Sequence, residues 1–180
     1  MTKNILNNEN FKKKFPIVLV PHNNVWREWY KEEKDNILEL LGVYQINIYQ
    51  IGSTAIPYIY SKNIVDILIE VLDNKNFNDI INLLSTDWEL RWIENNSSFL
   101  VKGYGEDGFL EKVFHLHVRK KGDINEVYFK DILLRNPEIA KRYEKLKLDL
   151  EIKYKYDRES YTNGKTKLIK EIEKHYSLHK

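Results

Sequence analysis

The segment from Gln50 to Val71, QIGSTAIPYIYSKNIVDILIEV, constrains this chain more than any other. A run of apolar residues ends in Gly52-Ser53, a short loop follows, and Asp66 then sits among Ile64, Val65, Ile67, Leu68 and Ile69. Such a β-branched run reads as a buried strand. A carboxylate inside it costs several kcal/mol unless a partner or a ligand compensates it, so Asp66 calls for one. Residues 66, 68 and 70 share one face of that strand, which puts Asp66 and Glu70 on the same side with Leu68 between them.

The rest of the chain supplies the frame. Residues 1–16 are polar and rich in Asn and Lys, and they read as a loose arm ahead of one domain over 17–180. Ile17 to Val20 suggest a short strand. Asn23 or Asn24 can cap a helix over VWREWYKEEKDNILELL, with Trp26, Trp29, Tyr30, Ile37, Leu40 and Leu41 at near-helical spacing and Gly42 as the stop. A strand through Ile46, Ile48 and Ile51 leads to the Gly-Ser turn. Beyond Asp73-Asn74, Asn76 can cap a helix through Leu84. The segments 88–93, 98–104 and 112–119 read as strands, the last two as a hairpin closed by Gly105 to Gly108. From Ile124 onward the texture is helical, broken at Asn136-Pro137 and restarted near Asp157. Strands first and helices last define an α+β fold, a mixed sheet with a helical C-terminal layer.

Composition removes several classes of function. The chain has 180 residues and no cysteine, which excludes disulfides and thiol catalysis. A net charge of +2 gives no argument for a nucleic-acid or membrane surface. The N-terminus lacks the apolar core of a signal peptide, and no apolar run reaches the roughly 20 residues that span a bilayer. A cytoplasmic location is expected.

Three groups of residues can carry chemistry. Gly52 permits a backbone that approaches an anion, and Ser53 and Thr54 can cap a short helix facing a phosphate, although a plain turn has the same composition. His115 and His117, two apart in a strand, project from one face. They can hold a divalent metal, bind a phosphate, or serve as structural histidines. Arg158 and Lys165, in DRESYTNGK, are cations able to neutralise a polyphosphate. Tyr161 beside them reads as a packing ring or a base-stacking platform, packing being the commoner use. His22, His175 and His179 read as surface or packing residues.

Taken in order, QIGSTAIP, Lys62, IVDILIEV, FHLHV, FKDILLRNPEIAKRYEKLK and DRESYTNGK resemble the GrpB (UPF0157) family over roughly residues 17–175. The resemblance implies a nucleotidyltransferase-like fold, with a mixed sheet flanked by helices. It also implies a Gly-Ser turn followed by paired carboxylates that hold Mg²⁺ or Mn²⁺, and a nucleoside triphosphate as substrate. On that pattern Gly52, Ser53 and Thr54 take the phosphates, Lys62, Arg158 and Lys165 counter their charge, and Asp66 is the first carboxylate. The second carboxylate position is Leu68. A metal site would then need Glu70, His115 or His117 to complete it, with Asp66 and Glu70 as the catalytic carboxylates. Other departures are Tyr58 where Gly is usual, Asn63 where Pro is common, and Lys130 and Leu134 where arginines are common. Two functions follow from it, nucleotidyl transfer to a small-molecule acceptor or a degenerate module that binds a nucleotide or anion without turnover. A protein-interaction role using exposed aromatics is a third, unrelated reading.

Overall fold

The computed structural model describes residues 9–177. In chain order the elements are α1 (Glu9–Lys14), β1 (Leu19–Val20), α2 (Val25–Leu41), β2 (Ile46–Ile51), β3 (Ser61–Lys62), β4 (Val65–Val71), α3 (Phe77–Leu84), β5 (Glu89–Glu94), β6 (Ser97–Tyr104), β7 (Phe109–Lys120), α4 (Asn125–Arg135), α5 (Pro137–Tyr154) and α6 (Arg158–Ser177). Five strands form one sheet in the order β2-β4-β7-β6-β5, and β1 pairs with β3 in a separate two-stranded ribbon. Only the β4–β7 pairing in the large sheet is parallel, so the fold is α+β with a mixed sheet.

The alternation along β4 explains its almost unbroken apolar sequence. Val65, Ile67, Ile69 and Val71 face a core built with Trp26, Ile37 and Leu41 of α2 and with Ile80 and Leu84 of α3. Asp66, Leu68 and Glu70 face the opposite side, where the C-terminal helices lie. There Leu68 is fully buried against Ile51 and Val127, beside Tyr49 and Ile124. A central strand covered on both faces has no solvent side to carry polar residues.

Most of the expected elements form where the hydrophobic period placed them. In α2, Trp26, Trp29, Ile37 and Leu41 are buried, but Leu40 is exposed because it falls outside the apolar stripe. Asn23 rather than Asn24 satisfies the start of α2, its Oδ1 accepting from the Val25 N–H at 3.0 Å. The hairpin between β6 and β7 closes through Gly105 N–H to Gly108 O at 2.9 Å. The segment after Ile124 is helical, and Pro137 begins α5 at a position where its missing N–H costs nothing.

The arm differs from expectation. Within the described residues its end forms α1, and Phe15 is buried between Phe11, Tyr104 and Phe109 with ring centroids 4.7–5.0 Å away. The chain is then tied to the α5–α6 junction. Ile17 N–H donates to Lys155 O at 2.8 Å, and Leu19 N–H donates to Glu151 at 2.8 Å. Aromatic burial outweighs the polar composition that made this stretch look loose. The strand expected over Ile17 to Val20 is reduced to Leu19–Val20, since residues 17 and 18 precede the β3 pairing.

Candidate functional site

Strand register assembles the site. Ile51 pairs with Asp66 across β2–β4, and Asp66 pairs with His115 across β4–β7. The Gly-Ser turn, the strand carboxylate and the histidine strand therefore meet at one place. Gly52 has φ 69°, and a Cβ there would lie 2.3 Å from Asp66 Oδ2. Only glycine accommodates both the backbone and the contact. Ser53 to Ala55 form a single 3₁₀ turn without a side-chain cap, instead of the capped helix expected. Ser53 lies beside the Tyr143 hydroxyl of α5, and buried Thr54 leaves its Oγ1 without a partner among the described residues.

Asp66 is compensated chiefly by histidine. His115 Nδ1 lies 3.1 Å from Asp66 Oδ1, and His117 Nε2 lies 3.8 Å from the same oxygen. Burial alone would raise the Asp66 carboxyl, but the His115 and His117 hydrogens and the charge on Lys62 hold it well below the usual carboxylate range. His115 is buried, and desolvation outweighs Asp66 to push its ring down to about 4. The imidazole is therefore neutral at pH 7. With Asp66 ionised, Nδ1 carries the proton and donates to it, so Nε2 accepts from the Tyr104 hydroxyl at 2.8 Å. Arg158 Nη1 in turn donates to Tyr104 at 3.4 Å, while its Nε and Nη2 hold Phe15 O at 3.2 and 3.0 Å. The relay Arg158–Tyr104–His115–Asp66 has one donor and one acceptor at each step.

Opposite this relay stands a group of lysines. Lys62 of β3 and Lys165 of α6 lie 6.0 and 4.8 Å from the ring centroid of buried Tyr161. Lys147 of α5 is 2% exposed and donates to Tyr60 O, and it sits 5.2 Å from the Tyr143 ring. Desolvation, then the charges of Lys165 and Arg158, bring Lys62 down to about 7 despite the opposing pull of Asp66. Lys147 is likewise lowered to about 7 by burial and by Lys165, and burial lowers Lys165. The region between β3, α5 and α6 thus gathers amines that destabilise one another's charge, the environment in which an anion gains most.

Of the residues singled out from the sequence, Gly52, Ser53, Thr54, Lys62, Asp66, His115, His117, Arg158 and Lys165 come together here. Glu70 does not. Its oxygens take hydrogen bonds from Asn47 at 2.9 Å, Tyr49 at 3.3 Å and Gly122 N–H at 2.9 Å, four residues along β4 from Asp66 and behind Leu68. That separation is about 13 Å of strand. His22 packs edge-on against Trp26, and His179 lies outside the described residues. Sequence reading missed Lys147, Tyr104 and Tyr143. The signal for Lys147 was present, because 143, 147 and 150 are spaced i, i+4, i+7 on the inward face of α5.

The donor set does not suit a divalent metal. Both ring nitrogens of His115 are engaged, Asp66 Oδ2 is pressed against Gly52, and Lys62 adds positive charge. Among the described residues no group of three His, Cys, Asp or Glu side chains is arranged to hold a metal ion. Magnesium and manganese prefer several oxygens in octahedral array, which Asp66 cannot provide with Leu68 in the second carboxylate position.

A mixed sheet with a Gly-Ser turn against a strand carboxylate and a helical layer over that face is the architecture that the sequence resemblance implied. The sequence profile described as "GrpB protein" matches residues 16–175, and the chain belongs to the GrpB family. The Glutamate-rich protein GrpB of Alkalihalophilus pseudofirmus is 34% identical over 162 residues, spanning 87% of this chain and 93% of that protein. Conserved protein GrpB from Enterococcus faecalis, solved by crystallography, superposes with a TM-score of 0.74 at 23% identity over 88% of this chain and 96% of its own. The GLD-2/RNP-8 complex shares the fold more distantly, with a TM-score of 0.52 at 15% identity over 94% of this chain and 62% of that one. Among the described residues no helix is long and apolar enough to cross a membrane.

Proposed function

We propose that the protein binds the phosphate groups of a nucleotide in the cleft between the Asp66 face of the sheet and helices α5 and α6, as a module that needs no metal. The observation that carries this reading is the placement of Lys62 and Lys165 over the same Tyr161 ring beside Asp66. Two desolvated amines crowded together gain from a polyphosphate that favours their charged forms, and Arg158 and buried Lys147 lie in the same region. The Gly52 turn supplies a backbone that a phosphate can approach. Buried Thr54, whose hydroxyl has no partner among the described residues, adds a potential donor.

The test is calorimetry with nucleoside triphosphates and inorganic tripolyphosphate, in EDTA and then in Mn²⁺. Binding in EDTA that is lost in Lys62→Met and Lys165→Met supports the reading. Binding that appears only with Mn²⁺, or that survives both substitutions, overturns it.

A second reading, nucleotidyl transfer to a small-molecule acceptor, draws on the close contact of Gly52 with Asp66, which retains the turn-and-carboxylate pairing of that fold type. The absence of a second carboxylate beside Asp66 weighs against it. Mass spectrometry of candidate acceptors after incubation with nucleoside triphosphates separates the two, since a binding module yields no adduct.

A further inference from the structure

The Asp66 face of the sheet continues beyond the histidines as a row of rings. Phe99 of β6 pairs with His117, and its ring centroid lies 5.0 Å from both imidazoles. Trp92 of β5 pairs with Phe99 in turn and stacks on it at 6.0 Å with an interplanar angle of 28°. Trp26, Trp29 and Trp88 lie in the apolar core, whereas Trp92, Phe99 and His117 remain partly exposed. The row starts where the anion site ends, since His117 Nε2 is 3.8 Å from Asp66.

We propose that Trp92 and Phe99 form a stacking platform for the base of the bound nucleotide. The proposal rests on the phosphate reading above and adds where the nucleoside lies. Neighbouring strands are about 4.8 Å apart, so Phe99 lies about 10 Å and Trp92 about 14 Å from the β4 strand that carries Asp66. Phosphates held at the Lys62–Lys165 end leave room for a ribose over the histidines and a base over the rings. Trp92 and Phe99, partly exposed on adjacent strands of one sheet face, leave ring surface for a base, and every base has a π-face to lay against it. The platform favours a nucleotide over a simple polyphosphate by stacking and not by charge.

The experiment compares parent, Trp92→Leu, Phe99→Leu and Trp92→Phe by calorimetry with ATP and with inorganic tripolyphosphate, after thermal melts establish that each variant is folded. Trp92→Leu and Phe99→Leu are expected to weaken ATP about tenfold or more, while tripolyphosphate affinity stays within about twofold of the parent. Trp92→Phe keeps a ring and is expected to keep most of the ATP affinity. Equal losses for both ligands, or ATP binding unchanged in folded Leu variants, overturn the platform. If tripolyphosphate fails to bind the parent, the phosphate reading falls and the platform is judged on adenosine alone. The Trp92 emission, taken as parent minus Trp92→Phe, is then expected to be quenched saturably by adenosine in the parent and not in Phe99→Leu. No such quenching overturns the proposal.

Discussion

Gly52 and Asp66 are in contact across β2 and β4, so closely that a methyl group on Gly52 would lie 2.3 Å from the carboxylate oxygen. The contact makes turn and carboxylate one unit. Gly52→Ala forces an L side chain into positive φ and drives Asp66 off His115, and it is expected to lower stability by about 1–3 kcal/mol. Urea denaturation measures that loss, and tripolyphosphate binding is expected to weaken with it. A variant as stable as the parent would mean the turn relaxes freely and does not set the position of Asp66.

Leu68 tests the second carboxylate position. It is fully buried with Ile51 and Val127. Leu68→Asp is expected to destabilise by about 3–5 kcal/mol because a carboxylate is placed among apolar side chains. Melts with and without Mn²⁺ are expected to coincide. A melting temperature restored by Mn²⁺ would show that a metal can sit between residues 66 and 68.

The site was partly legible because its determinants are local in sequence. Gly52, Ser53 and Asp66 lie within one turn-and-strand unit, and His115 and His117 announce themselves by period. Register then brings these two groups together, and register depends on partners that the chain does not name. The amines were harder. Lys62, Lys147 and Lys165 sit on three different elements, and a lysine on a helix ordinarily faces water. Only the packing of α5 on α6, so close at Gly164 that a Cβ there would lie 2.5 Å from Leu150 Cδ2, turns Lys147 and Lys165 inward together. Glu70 shared the correct face of β4 with Asp66, but four residues of strand are too long for two carboxylates to meet. The helical turn α1 was hidden because Phe11 and Phe15 are few among many polar neighbours.

Tyr58 occupies positive φ, at 66°, on an exposed loop, a backbone that favours glycine. The loop is clamped by α5: Lys141 donates to Tyr58 O at 2.8 Å, and Tyr60 N–H donates to Glu144 at 2.6 Å. Tyr58→Gly removes the steric cost of left-handed backbone and is expected to stabilise by about 0.5–1 kcal/mol. For a chain of this size that is a rise of roughly 1–4 °C in Tm. A lower Tm would show that the tyrosine ring makes contacts worth more than the strain.

His115 sets an acid limit. Its folded-state value of about 4 lies below the ordinary 6.5. The unfolded chain therefore binds the proton more readily, and stability is full above pH 6.5 and falls as pH drops towards 4. The slope is about 1.4 kcal/mol per pH unit, or about 3 kcal/mol across the window. Asp66, held below its ordinary range, adds a further loss below pH 4. Denaturation at pH 7 and pH 5 is expected to show His115→Gln losing about 2 kcal/mol less than the parent over that interval. Equal losses would place the acid sensitivity elsewhere.

Lys62 and Lys147 give binding its own pH dependence. Both amines are brought down to about 7 by burial and by neighbouring cations. A bound polyphosphate supplies the opposite charge and raises them, so above pH 7 binding must take up protons. Affinity for tripolyphosphate is expected to be highest below pH 7 and to fall as pH rises, by up to about tenfold per pH unit for each lysine that must be protonated. Calorimetry in buffers of different ionisation enthalpy reads the proton uptake directly. At pH 8 the parent is expected to take up close to one proton or more, and Lys62→Met fewer. The Lys62→Arg variant separates charge from proton uptake, because a guanidinium stays ionised throughout. It is expected to bind with a flatter pH profile, provided the fork reaches the same phosphate. Zero uptake at pH 8 in the parent would mean that the amines are already charged when the cleft is empty and that crowding around Tyr161 does not tune the site.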